Sequence, residues 1–327
     1  MQPQIVTFSR NVFIPLTTVC RNRCGYCGFR TPAGPGSILT QKEVMNLIDQ
    51  GASTGCTEAL FTFGEHPEEE GGFLPLLHTI GYDSILEYCA AMCEYAIARN
   101  LLPHTNAGVL TPGEMERLRA VNASMGLMLE TTADLPAHAL SPGKVPGARI
   151  RMIEDAGRLQ IPFTTGLLIG IGETMEDREE SLMVIADLHE KWDHIQEVII
   201  QNFCPKPGTP MASSPVLESG EMCMTVALAR DILSEEIAIQ VAPNLTDGPR
   251  LVRCGANDLG GISPVTVDYI NPEHPWPQID DLKAALPGFA LHERLCIYPR
   301  FIRKEWYSPR IEALIKLREQ ELREAAW

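Results

Sequence analysis

The stretch NVFIPLTTVCRNRCGYCGFR, residues 11–30, decides how the rest of the chain is read. Its opening NVFIPLTTV (11–19) is an apolar, β-branched run of strand character. The loop that follows sets Cys20, Cys24 and Cys27 in a C-x-x-x-C-x-x-C spacing. Three thiolates this close in sequence can surround one metal centre, with Gly25 relieving crowding inside the tight loop. A structural zinc site needs a fourth ligand, which His66 or a distant cysteine could supply, yet the C-x-x-C halves of zinc ribbons come in pairs and no second C-x-x-C follows. A cubane held by three cysteines leaves one iron without a protein ligand, a position open to a small molecule.

Working outward, apolar strand-like runs alternate with amphipathic helical stretches, the pattern of parallel β/α units. Further strands are expected at 58–65, 102–109, 123–130, 161–170, 195–203 and 238–245, with an eighth at 262–270. Thr40-Gln-Lys-Glu43 and Thr111-Pro-Gly-Glu114 read as capping boxes that start helices. Other helices are expected near 84–100, 147–160, 173–192 and 219–234. Strands of this kind without a linker favour a TIM-type (β/α) barrel of one domain spanning 1–327. Residues 1–10 would be an N-terminal extension, and about 278–327 a C-terminal helical segment packing on the barrel. Polar residues end nearly every expected strand: Glu65, Thr105 with Asn106, Glu130, Gly170 leading to Glu173, Asn202 and Asn244. A barrel gathers such ends around one mouth.

Lys plus Arg number 27 against 42 Asp plus Glu, a net charge of −15, which argues against nucleic acid or an anionic membrane and for a small-molecule substrate. Residues 1–42 carry no acid but five cations, Arg10, Arg21, Arg23, Arg30 and Lys42, so an anionic group is expected there. Ten cysteines spread along a chain opening with MQPQIVTFSR, which lacks the apolar core of a signal peptide, point to a reducing cytoplasm. Cys89 and Cys93, one helical turn apart, read as core filler.

With Tyr26 before its last cysteine, the cluster loop resembles that of the radical S-adenosylmethionine (SAM) superfamily. The resemblance implies a 4Fe–4S cluster on Cys20, Cys24 and Cys27 and SAM at the open iron. It also implies that Gly64-Glu65 meets the methionine amine, although Phe63 replaces the more usual glycine. Glu130 would meet the ribose or the amine, and the turn Gly170-Ile171-Gly172-Glu173 would approach the adenine. Thr105, Asn106 and Arg149 join the candidate cofactor-binding residues, Arg149 as a partner for a carboxylate.

Four segments, 9–30, 161–174, 201–211 and 255–277, resemble the smaller-subunit type of 7,8-didemethyl-8-hydroxy-5-deazariboflavin synthase. That resemblance implies ring closure of 5-amino-5-(4-hydroxybenzyl)-6-(D-ribitylimino)-dihydrouracil with loss of ammonia. A companion radical SAM subunit would supply this intermediate, and a low-potential donor the electron. A ribityl-uracil needs uncharged hydrogen-bond partners, and Gln201, Asn202, Asn244, Asn257, Asp258 and Ser263 are of that type. Asp258 or His66 could handle the proton lost with ammonia. Two other readings stand beside this one: a relative acting in aminofutalosine-type menaquinone synthesis, and a non-enzymatic iron–sulfur or zinc protein.

Overall fold

The computed structural model describes residues 4–325. Its strands are β1 (Gln4–Ile14), β2 (Glu58–Thr62), β3 (Leu102–Asn106), β4 (Ser124–Gly126), β5 (Phe163–Ile169), β6 (Ile195–Asn202), β7 (Ala238–Gln240), β8 (Asp258–Ile262) and β9 (Phe289–Glu293). The first eight pair in sequence order, all parallel. Because β1 pairs with β8 through Thr7–Arg10 and with β2 through Asn11–Ile14, the sheet closes into a barrel. The expected TIM-type barrel is therefore the fold.

Local sequence starts the helices as read. The boxes Thr40/Glu43 and Thr111/Glu114 cap helices Gln41–Ser53 and Pro112–Arg119, each side chain bonding the other's backbone N–H. Helices Ile85–Ala98, Pro146–Arg158, Met175–Trp192 and Ser219–Ile232 fill the other gaps. Val6, Val12, Ile14, Phe61, Phe163, Val198 and Ile239 are fully buried between strands and helices. Cys89 and Cys93 lie in that core, their sulfurs 4.0 Å apart.

At the chain ends one expectation is corrected and the other extended. Residues 4–10 are not an extension but the first part of β1, paired with β8 and, through Gln4–Phe8, with β9. The C-terminal segment contributes that ninth strand as well as helices, and its Leu295, Ile297, Phe301, Ile311 and Ile315 pack on Leu102 and Ala123. Residues 1–3 and 326–327 of these two expected segments lie outside the described residues. Cys223 and Cys254 are bonded to each other, tying helix Ser219–Ile232 to the residue after helix Gly248–Arg253.

Candidate active site

The loops at the C-terminal ends of the strands enclose a cavity of about 410 Å³. Cys20, Cys24 and Cys27 line it together. The loop that carries them leaves β1 and is pinned at several points. Gly64 N–H donates to the Thr17 carbonyl at 3.0 Å, Gly25 N–H to Ala137 at 2.8 Å, and Arg30 Nε to the Cys20 carbonyl at 2.9 Å. Gly64 is required here, since a Cβ would lie 1.8 Å from the Val19 carbonyl oxygen. Two of the sulfurs already accept hydrogen bonds, Cys20 from Glu65 N–H at 3.2 Å and Cys24 from Ser141 Oγ at 3.3 Å. Burial pushes both thiols above their ordinary value, so a bound cation is what would let them ionise. Three cysteines lining one cavity, two of them with donors aimed at their sulfurs, fit an iron–sulfur cluster.

Around these thiols stand two buried carboxylates. Glu65 accepts from Arg21 Nε and Val109 N–H, each at 2.9 Å. Gly108 and Gly143 make room for it: a Cβ on the first would lie 2.4 Å from its Cγ, and one on the second 1.6 Å from its Oε1. Glu130 is 6% exposed and receives Tyr26 Oη, Lys144 Nζ, His138 Nε2 at 3.1 Å and Arg149 Nη2 at 3.5 Å. Burial works against its charge, but Lys144, then His138 and Arg149, outweigh it and hold the carboxyl well below the ordinary range. Burial and the neighbouring Glu130 together push the Tyr26 phenol well up, so it stays a donor. The backbone of Glu130 sits at φ 68°, held there by its N–H on Gly166 O at 2.9 Å and its carbonyl under Leu168 N–H at 3.1 Å. A non-glycine residue in that region costs about 1–3 kcal/mol and persists where the surroundings over-determine it.

Of the cofactor-binding candidates, Tyr26, Gly64, Glu65, Asn106, Glu130 and Arg149 line the cavity. Arg149 does so with its Nε and Nη1 spent on the Met128 and Gly143 carbonyls, at 2.6 and 2.7 Å. Thr105 does not line it. Adjacent residues of a strand face opposite sides, and Thr105 turns to Asn122 Oδ1, 2.8 Å away, and to the core thiols. The Gly170–Glu173 turn is also off the lining. Glu173 folds back onto the N–H groups of Gly170 and Ile171 at 2.7 and 2.8 Å, while the helix that follows is capped by Thr174 and Asp177 rather than by Glu173. Ile171 packs with Leu168, Phe203 and Tyr26, so the turn buttresses the wall from behind. The anion expected beside the N-terminal cations is the chain's own: Arg21, Arg23 and Arg30 pair with Glu65, Glu69 and Glu70.

Gln201, Asn202 and Asn244 line the opposite half. Asp258, Asn257 and Ser263 do not. Asp258 opens β8 and so sits at the far end of the barrel from the mouth, where it meets Thr7, Arg294 Nε at 2.6 Å and Tyr298 Oη at 3.0 Å. Arg294 also reaches Glu197 at 2.6 Å. Burial pushes Glu197 up to about 8, whereas at Asp258 the same burial is outweighed by Arg294, which holds that carboxyl below the ordinary range. Asn257 Oδ1 accepts Ile239 N–H at 2.8 Å, and Ser263 closes a turn on Thr266. His66 bonds the Val109 carbonyl at 2.9 Å, outside the lining. The proton-handling roles expected of Asp258 and His66 therefore have no access to the cavity.

Lining residues that the sequence reading passed over include Lys144, Lys206, Gln240, Asn11 and Trp276. Lys206 Nζ pairs with Glu273, and its stem lies against the cluster loop at Gly28. The run C-P-K-P-G at 204–208 carried a signal, a lysine between prolines just beyond a strand end.

Residues 14–185 match the family model described as the radical SAM superfamily. A 7,8-didemethyl-8-hydroxy-5-deazariboflavin synthase of Methanoregula boonei is 61% identical over 322 residues, covering 98% of each chain. One of Methanosphaerula palustris is 61% identical over 316 residues, covering 97% of each. Among solved structures, that of methylornithine synthase superposes with a TM-score of 0.66 at 16% identity, covering 95% of this chain and 86% of that one.

Proposed function

Because the chain belongs to the radical SAM superfamily, and within it to the family of 7,8-didemethyl-8-hydroxy-5-deazariboflavin synthases, we propose that it closes the deazaflavin ring with loss of ammonia. The substrate on this reading is 5-amino-5-(4-hydroxybenzyl)-6-(D-ribitylimino)-dihydrouracil, delivered by a companion radical SAM subunit in the cytoplasm. The observation that carries it is one cavity with two unlike halves: thiols and paired carboxylates on the β1–β4 side, neutral amides on the β6–β8 side.

Cys20, Cys24 and Cys27 would hold a 4Fe–4S cluster, leaving one iron for SAM. When bound and reduced by a low-potential donor, this pair supplies a one-electron cleavage of SAM to methionine and a 5′-deoxyadenosyl radical, SAM being consumed as the oxidant. Glu65, fixed by Arg21 and the Val109 N–H, presents its carboxylate to the methionine ammonium. Lys144 and Arg149, on the cavity wall beside Glu130, balance the anionic groups gathered there. Tyr26 keeps its proton on Oη and donates it to Glu130, which fixes the ring that flanks Cys27. Gly64 and Gly143 let backbone approach where a Cβ would collide. On the other side, Gln201 and Gln240 offer amides to the flat uracil. In place of Asp258 and His66, Lys206 Nζ, buried against Glu273 on the lining, holds the proton that the departing amine takes.

The test supplies anaerobically reconstituted protein with reductant, SAM and the dihydrouracil intermediate. Fluorescent deazaflavin and free ammonia are expected together. Cleavage of SAM without deazaflavin overturns the reading.

A further inference from the structure

Residues 137–143, in the loop after β4, run beside residues 22–26 of the cluster loop and are laced to them at successive positions. Gly143 N–H donates to Asn22 Oδ1 at 2.8 Å, Arg23 N–H to the Leu140 carbonyl at 3.2 Å and Gly25 N–H to the Ala137 carbonyl at 2.8 Å. Tyr26 Oη and His138 Nε2 lie 3.1 Å apart. Within this segment Ser141 is 3% exposed, and its backbone is held on both sides, by its N–H on the His138 carbonyl and by Lys144 N–H on its own carbonyl, each at 2.9 Å. Its Oγ accepts from Arg23 N–H at 3.1 Å and donates to Cys24 Sγ at 3.3 Å.

The direction of that last bond is fixed by its neighbours. A hydroxyl carries one proton. Arg23 N–H occupies a lone pair of the oxygen, so the proton does not point there, and Cys24 Sγ is the acceptor within its reach among the described residues. Cys20 Sγ also receives a donor, but from the backbone N–H of Glu65. Among the described residues Ser141 is therefore the one side chain that donates to a sulfur of the cluster loop.

Holding the loop in place does not require this hydroxyl. Arg23 N–H keeps the Leu140 carbonyl without it, and Ala137, His138 and Gly143 make their own bonds to the cluster loop. What the hydroxyl alone does is set a partly positive hydrogen against the Cys24 sulfur. When a cluster held by thiolates takes up an electron, negative charge on its sulfurs grows, and a donor aimed at one of them binds the reduced form better than the oxidised. We propose that Ser141 is a positioning residue for the radical-generating step, one whose hydrogen bond to Cys24 raises the reduction potential of the cluster toward that of its donor. One electron passes from the low-potential donor to the cluster, and the hydroxyl keeps its proton throughout. This role rests on the reading that Cys20, Cys24 and Cys27 hold the cluster.

The test is a redox titration of the reconstituted holoenzyme without SAM, the reduced cluster being read by electron paramagnetic resonance at each applied potential. Ser141→Ala is expected to lower the ratio of reduced to oxidised cluster about tenfold at a given potential, equivalent to ~59 mV for one electron, with iron content unaltered. Ser141→Thr keeps the hydroxyl and returns the ratio to within about twofold of wild type. Thr132→Val is the control: its hydroxyl lies on the same loop but 3.1 Å from Ser181 Oγ of helix Met175–Trp192, and its removal leaves the ratio unaltered. With a donor matched to the wild-type potential, the alanine variant cleaves SAM about tenfold more slowly, whereas an excess of a stronger chemical reductant restores the wild-type rate. A potential in Ser141→Ala equal to that of wild type, a threonine shift as large as the alanine shift, or loss of iron from the alanine variant overturns the role of Ser141 and leaves the cluster standing. Failure of wild type to take up a 4Fe–4S cluster overturns the cluster reading and the role of Ser141 with it.

Discussion

Replacing Glu130 by Gln removes the one buried anion on which Lys144, His138 and Tyr26 converge. Arg149 keeps carbonyl partners and Glu65 at 3.9 Å, so the group left exposed to the loss is Lys144, whose side chain is 14% exposed. Breaking a buried pair by removing one member costs about 3–5 kcal/mol, because the other charge stays buried without compensation. At ~2.1 cal/mol/K per residue, the 327 residues have a melting entropy of about 0.7 kcal/mol/K, so the cost corresponds to a fall of roughly 4–7 °C in Tm. Lys144→Met added to Glu130→Gln should restore part of the loss, since the stranded cation is then gone. The effect also has a pH signature. The folded carboxyl titrates below its unfolded value of about 4.3, so its stabilisation is complete above that pH and is lost as the pH falls through the folded value. Wild type and Glu130→Gln should therefore differ by a constant Tm from pH 7 to about pH 5 and converge in stronger acid. Calorimetry of the reconstituted protein without SAM measures all three quantities. A Tm within about one degree of wild type at pH 7, or a difference that widens in acid, would refute the reasoning.

Three further outcomes follow from the site. Gly143→Ala, whose Cβ would lie 1.6 Å from Glu65 Oε1, should raise the Kd for SAM about tenfold by calorimetric titration, while Gly147→Ala, with nothing nearer than Arg151 Nη1 at 3.5 Å, should leave it unaltered. Asp258→Asn should lower Tm by several degrees through the loss of charge beside Arg294, with KM and kcat within about threefold of wild type; a collapse of kcat at unaltered Tm would restore the catalytic role. Lys206→Met should lower the rate of ammonia release about a hundredfold with little change in KM, read by single-turnover assay, and an unaffected rate would remove it from proton transfer.

The barrel was legible because period and capping are local. Thr40/Glu43 and Thr111/Glu114 announce helix starts within their own few residues. The cluster loop was legible because three ligands fall in one short turn. What escaped depends on partners distant in sequence. Residues 4–10 look like an unstructured lead until β9, nearly three hundred residues on, supplies their pairing. With the eighth strand expected at 262–270, Gly260 and Gly261 fall before it, along with Asn257 and Asp258. In the barrel these glycines lie within β8, where a Cβ would come within 2.3 Å of the Gln240 amide and 2.0 Å of the Asn11 amide, so the strand starts earlier and Asp258 falls at its closed end. Between Thr105 and Asn106 the sequence holds no information on which faces inward, since register alone decides it. Lys144 and Trp276 reach the cavity from long loops that carry no periodicity.

The central claim is that Cys20, Cys24 and Cys27 hold a cluster with one iron open to SAM. Electron paramagnetic resonance of the reduced, reconstituted protein, recorded with and without SAM, tests it most directly. A reduced 4Fe–4S signal whose g-values shift on adding SAM is the expected result. A signal identical in both spectra would contradict the account.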